Sequence, residues 1–188
     1  MISSHGVSKH TVEYYLKVYK ELYGINYNIL ICSNVYGPRQ DSSGEGGVVS
    51  IFFDKILKGQ VPTIFEDGEQ IRDFVYVKDV AMANSMMLKI DKCGIYNLCT
   101  NTKTTINQLF NCIKEIANIG ICPYYEEQRA EDIITSYMSY DKIKKEVGWE
   151  PTYELKDGLN EIIKNVSKDK LIIKEADFQK GNYALNEI

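Results

Sequence analysis

An α/β fold is predicted by three observations. Two short apolar runs, 28–33 and 94–98, carry the near-continuous hydrophobic pattern of strands covered on both faces. Several other segments repeat apolar residues every three or four positions, as amphipathic helices do. Strand-like and helix-like segments also alternate along the chain, which favours a parallel sheet flanked by helices. The chain has 188 residues and is 44% hydrophobic, enough for one sizeable domain or a domain with a small lobe.

Taken in order, Val7, Thr11, Tyr14, Val18 and Leu22 form one helical stripe, and Val12, Leu16, Tyr19 and Tyr23 form a second beside it. One stripe can cover a sheet while the other meets something else, or both can be buried within the domain. Ser3 or Ser4 can cap this helix, and Gly24 suits its end. The run 28–33 is expected as a strand, followed by a turn-rich segment, 34–39, at its C-terminal edge, where open α/β sheets bind ligands. A flexible loop over 40–47 precedes a helix over 48–57 that stops at Gly59. Residues 62–65 read as a strand, 66–68 as a tight turn and 73–77 as a second strand. Asp79 is expected to start a helix with Val80, Ala83, Met87 and Ile90 on one face. After the strand 94–98, Thr105 and Gln108 have the spacing of a capping box opening a helix with Ile106, Leu109, Ile113 and Ile116. The pattern over 122–140 is extended, two short helices follow over 141–147 and 155–166, and residues 167–188 read as a tail.

Composition removes several classes of function. The net charge is −4, with basic and acidic residues interspersed, so no footprint for nucleic acid or an anionic membrane is expected. Five cysteines form no C-x-x-C pair and only two histidines are present, so no metal site is expected. The thiols suit a reducing cytosol. There is no membrane-length apolar run and no signal-peptide pattern, so a soluble, cytoplasmic protein is expected.

Four motifs stand in order: Ser4-His5-Gly6-Val7-Ser8-Lys9, Asn34-Val35-Tyr36-Gly37-Pro38-Arg39, the run 67–81 (Asp67-Gly68-Glu69-Gln70-Ile71-Arg72-Asp73 and onward to Ala81), and Gly148-Trp149-Glu150-Pro151. Together they resemble the extended short-chain dehydrogenases, the NAD-dependent nucleotide-sugar epimerases and dehydratases, and most nearly their UDP-glucose 4-epimerase branch. The match runs from Ser4 to about Val166. It implies the C-terminal portion of a Rossmann-type fold: the last sheet strands plus a small α/β substrate-binding lobe over 1–166, without the dinucleotide-binding half.

In that family a tyrosine takes a proton from a sugar hydroxyl while hydride passes to NAD, and a lysine four residues later holds the cofactor's ribose. Position 5 carries histidine where the family has the tyrosine, and Lys9 matches the lysine. Both would project from one face of the first helix turns. An imidazole can act as a base, but it is shorter than a phenol, and a neighbouring ammonium lowers its pKa. The resemblance therefore implies a degenerate catalytic pair; the alternative for His5 is an exposed residue at a helix start. No strand followed by a glycine-rich turn and a helix appears in the sequence, and Gly44-Glu45-Gly46-Gly47 lacks the preceding strand. NAD is thus not expected to be held by this chain alone.

On the substrate side, the resemblance assigns Asn34 and Arg72 to the diphosphate of a nucleotide sugar, Arg129 with Asp132 to phosphate and ribose, and the backbone of 63–65 to the uracil. Glu131 stands where the family's Arg-x-Gly-Asp element has glycine. Guanidinium forks suit phosphate oxygens; the alternatives are surface ion pairs, Arg72 with Asp73 or Arg129 with Glu126. The expected function is that of a truncated UDP-glucose 4-epimerase-like protein, inactive alone but able to bind UDP-sugar. The alternatives are a dimerisation or regulatory module acting through helix 7–23, or one half of a split enzyme. With neighbours of 29–32 missing on at least one side, self-association through that edge or the first helix is expected, or association with a cofactor-domain partner.

Overall fold

The computed structural model describes residues 4–43, 46–127 and 133–166, with Ser4 and His5 described in their backbone alone. In order the chain forms α1 (Ser4–Tyr23), β1 (Asn28–Cys32), β2 (Asn34–Tyr36), α2 (Val48–Leu57), β3 (Thr63–Phe65), β4 (Ile71–Arg72), β5 (Phe74–Tyr76) and α3 (Val77–Met87). It continues with β6 (Gly94–Leu98), β7 (Thr104–Thr105), α4 (Ile106–Ala117), β8 (Tyr124–Glu126), α5 (Asp141–Val147) and α6 (Leu155–Asn165). The class is α/β, as the alternation of patterns predicts. The sequence-predicted tail, 167–188, lies outside the described residues.

The strands pair mostly in parallel. β1 lies beside β6 with Leu30 opposite Tyr96, and β2 beside β5 with Val35 opposite Val75. The chain bends at Ser33, where one line of strand changes partner: Ser33 N–H donates to the Leu98 carbonyl and Asn34 N–H to the Asp73 carbonyl, each at 2.9 Å. The segment 34–36, read from the sequence as part of a turn, is therefore a short strand, because β5 offers it a ladder. β3 pairs in parallel with β8 rather than with β5, and β4 pairs antiparallel with β7, a two-residue match that no apolar pattern signals.

Two buried aspartates pin these ends. The carboxylate of Asp73 is fully buried and accepts from Ser33 Oγ, from the backbone N–H and hydroxyl of Thr100, and from the backbone N–H of Asn101. It thereby ties the ends of β1 and β6 to the start of β5. The alternative considered for Arg72, an ion pair with Asp73, gives way to this cluster of neutral donors, which satisfies the carboxylate without a cation. Asp79 accepts from Thr152 Oγ1 at 2.6 Å and Tyr153 N–H at 3.1 Å, and its carbonyl accepts from the indole N–H of buried Trp149 at 3.0 Å. The Gly-Trp-Glu-Pro motif is thus a staple onto α3. Asp79 does not start the helix, as the sequence suggests; α3 begins two residues earlier, at Val77, and the carboxylate turns to the 149–153 segment.

Two hydrophobic clusters form the core. One joins α2, α4 and α6 through Phe52, Ile56, Leu109, Phe110, Ile113 and Leu159. The other joins α3, α5 and β6 through Ala83, Tyr96, Leu98, Ile143 and Trp149. The predicted capping box opens α4, with both reciprocal bonds made between Thr105 and Gln108. α6 approaches so closely that a Cβ at Gly158 would lie 2.3 Å from the Tyr36 hydroxyl. Beside that contact Tyr76 donates to Glu161, and Lys78 pairs with the same carboxylate. Burial and the Glu161 bond push the Tyr76 phenol up to about 12, while the Lys78 and Tyr76 donors hold Glu161 below the usual carboxylate range.

α1 departs from expectation. Val7, Tyr14, Val18 and Leu22 of the first stripe and Val12, Tyr19 and Tyr23 of the second are all exposed, and α1 makes no extensive contact with another described element. Neither stripe is buried against the sheet, although Leu16 of the second is half-buried. β1, predicted to be covered on both faces, is half-buried over Asn28–Leu30 and exposed at Ile31 and Cys32; β6 is its one described strand neighbour.

Candidate functional site

A cavity of about 650 Å³ opens between the start of α2, β3 and β4. Its wall includes Asn34, Gly46-Gly47-Val48, Lys55, Thr63-Ile64-Phe65, Gln70, Arg72 and Glu126. Arg72 projects from β4, which is gripped on its other side: Ile71 N–H donates to the Ile134 carbonyl at 2.9 Å, and Ser136 N–H donates to the Ile71 carbonyl at 3.0 Å. The guanidinium is oriented by donating to the carbonyls of Ile71 and Ile133. Asn34 is held by its backbone bond to Asp73 and starts β2, so both residues stay on the rigid sheet.

α2 begins at Gly47 with no side-chain cap, leaving first-turn N–H groups for an acceptor in the cavity. β3 presents an edge. Tyr124 N–H donates to the Pro62 carbonyl and Glu66 N–H to the Glu126 carbonyl, so the even positions of this stretch bond toward β8. In a parallel ladder the intervening residues then aim their amides the other way. On that side Gln70 Nε2 donates to the Phe65 carbonyl at 2.8 Å. Gln70 is 4% exposed, and its Oε1 is buried with no partner among the described residues. Lys55 Nζ donates to Thr63 Oγ1 at 3.1 Å. Cationic side chains, uncapped helix N–H groups and an amide-bearing strand edge on one cavity suit an anionic ligand with a planar polar group.

Three sequence-predicted features therefore converge here: Asn34, Arg72 and the backbone of 63–65. Arg129 and Asp132 lie outside the described residues, as does the side chain of His5, whose backbone belongs to the first turn of α1. Lys9 is exposed on α1 and is not among the residues of the cavity wall. Sequence reasoning missed the α2 start, Lys55, Gln70 and Glu126. Two of these left a signal: Lys55 follows Val48 by seven residues, hence on the same helix face, and Gln70 precedes Arg72 by two.

A dinucleotide needs a strand, a glycine-rich turn and a helix start in succession. Among the described residues α3 follows β5 with no intervening turn, and the α4 start is occupied by its capping box. α2 opens at glycines, but its first turn faces the cavity just described. The described residues do not fit a dinucleotide cradle.

Residues 2–99 match the NAD dependent epimerase/dehydratase family model. A Methanocaldococcus jannaschii protein, provisionally named a UDP-glucose 4-epimerase, is 46% identical over 162 residues, covering 86% of this chain and 52% of the relative. The structure is similar to that of the Thermotoga maritima UDP-glucose 4-epimerase solved with UDP-glucose, with a TM-score of 0.81 and 42% identity, over 85% of this chain and 52% of that one. It is also similar to the Thermus thermophilus UDP-glucose 4-epimerase solved with NAD, with a TM-score of 0.78 and 35% identity, over 87% and 53%. The chain spans about half the length of the relatives it matches. With its fold, its ordered motifs and these likenesses in agreement, the chain belongs to the NAD-dependent epimerase/dehydratase family, on its UDP-glucose 4-epimerase-like side.

Proposed function

We propose that this chain carries the substrate side of a UDP-hexose epimerase, binds UDP-sugar in the cavity between α2, β3 and β4, and does not turn it over alone. The observation that carries this reading is the convergence of Arg72, Asn34, the uncapped α2 start and the β3 edge on one cavity. Arg72, Asn34 and the α2 N–H groups bind the diphosphate, and the backbone of 63–65 meets the uracil. Arg129 and Asp132 complete the phosphate and ribose contacts by family resemblance. Histidine at position 5 and the absence of a dinucleotide cradle among the described residues speak against turnover and against NAD being held by this chain alone. The residues 1–166 act as one unit, with 167–188 appended. Five free thiols, three of them exposed, suit a reducing cytosol.

Calorimetry tests this reading: UDP-glucose should bind, NAD should not, and Arg72→Met should weaken UDP-glucose roughly tenfold or more by removing charge-assisted bonds. Epimerisation of UDP-glucose by the purified chain, or NAD retained through purification, would overturn the inactive reading. A second reading, a module that pairs through α1 with a second copy or a cofactor-domain chain, is favoured by the exposed apolar residues along that helix.

A further inference from the structure

Lys55 is one of two basic side chains described on the cavity wall, the other being Arg72. It is half-buried, and among the described residues its one polar partner is the neutral Thr63 hydroxyl, 3.1 Å away. No carboxylate pairs with it there. An ammonium has three N–H donors and no acceptor, so after the bond to Thr63 it still needs acceptors, and the cavity is where they would come from.

Its position along α2 decides which acceptor. Val48, Ile51, Phe52 and Lys55 all line the cavity, the spacing of one helix face. Seven residues at helical rise place Lys55 roughly 10 Å beyond Val48, the first residue of α2. The bond to Thr63 holds its ammonium at β3, so Lys55 serves the β3 side of the cavity rather than an anion at the α2 start. Beside Lys55 stand instead Thr63 and the outward-facing amides of β3.

We infer that Lys55 reads the nucleobase: its ammonium donates to a ring carbonyl oxygen of a base lying against the β3 edge, at the position where uracil carries oxygen and cytosine carries an exocyclic amine. An amine there would set donor against donor, so cytosine is disfavoured by an unpaired buried group as well as by a lost bond. The inference rests on the nucleotide-sugar reading and adds to it the residue that selects the base.

The test is calorimetry with UDP, CDP and inorganic pyrophosphate on the native chain, Lys55→Met, Lys55→Gln and Arg72→Met, each first shown to be folded by its melting curve. The native chain should favour UDP over CDP by roughly tenfold or more. Lys55→Met, which keeps the apolar stem, should weaken UDP about tenfold, leave pyrophosphate unchanged and close the gap between UDP and CDP. Lys55→Gln, which restores a neutral donor, should recover part of that gap. Arg72→Met should instead weaken UDP, CDP and pyrophosphate together. A UDP-to-CDP ratio unchanged in Lys55→Met, or a loss of pyrophosphate equal to the loss of UDP, overturns the role of Lys55 while the nucleotide-sugar reading stands. A folded native chain that binds neither UDP nor pyrophosphate overturns that reading, and this inference with it.

Discussion

At the scale of single residues, buried carboxylates organise this protein as much as its apolar side chains do. Asp79 is 1% exposed and joins α3 to the 149–153 segment through a hydroxyl and a backbone N–H. Replacing it by alanine strands both donors in a buried place, so Asp79→Ala should lower stability by about 3 kcal/mol, read from the urea midpoint at unchanged m-value. The spacing of Asp73 and Asp79 was visible in the motif that carries the family resemblance, but their roles were not. A buried carboxylate is defined by donors that arrive from distant positions, here Thr100, Asn101, Thr152 and Tyr153, and linear spacing holds no trace of which donors those are.

At the scale of elements, the helices and the longer strands were legible because their apolar periods are long. α4 even declared its first residue through the Thr105–Gln108 pair. The two-residue strands β4 and β7 were not, since two residues carry no period; their pairing is decided by tertiary contact. The junction of α6 with β2 and β5 makes two further outcomes checkable. Gly158→Ala drives a methyl into the rigid Tyr36 ring and should lower stability by about 2 kcal/mol, measured by thermal or urea unfolding. Glu161 has a folded-state pKa held down by Lys78 and then Tyr76, so its contribution is present above the ordinary glutamate value of about 4.3 and is lost as pH falls through the lowered folded value. A urea-midpoint series from pH 7 to 3 should therefore show the native chain losing its advantage over Glu161→Gln on acidification; a constant difference would refute the linkage.

For the molecule as a whole, the candidate site was half legible. Asn34, Arg72 and 63–65 came from ordered motifs, whereas Lys55 and Gln70 became visible once α2 and β4 faced each other across the cavity. The exposed apolar length of α1 belongs to this scale too. Tyr19, Leu22 and Tyr23 are each more than half exposed, a patch that water-exposed monomers rarely keep. Size exclusion with light scattering should find the native chain above monomer mass, and Leu22→Glu with Tyr19→Glu should return it toward monomer; a strictly monomeric native chain would remove the pairing reading.

β5 is three residues long and buried on both faces. Phe74 and Tyr76 belong to one hydrophobic cluster and Val75 to the other, so a single strand serves as party wall to two rooms. Damage to either room is felt next door.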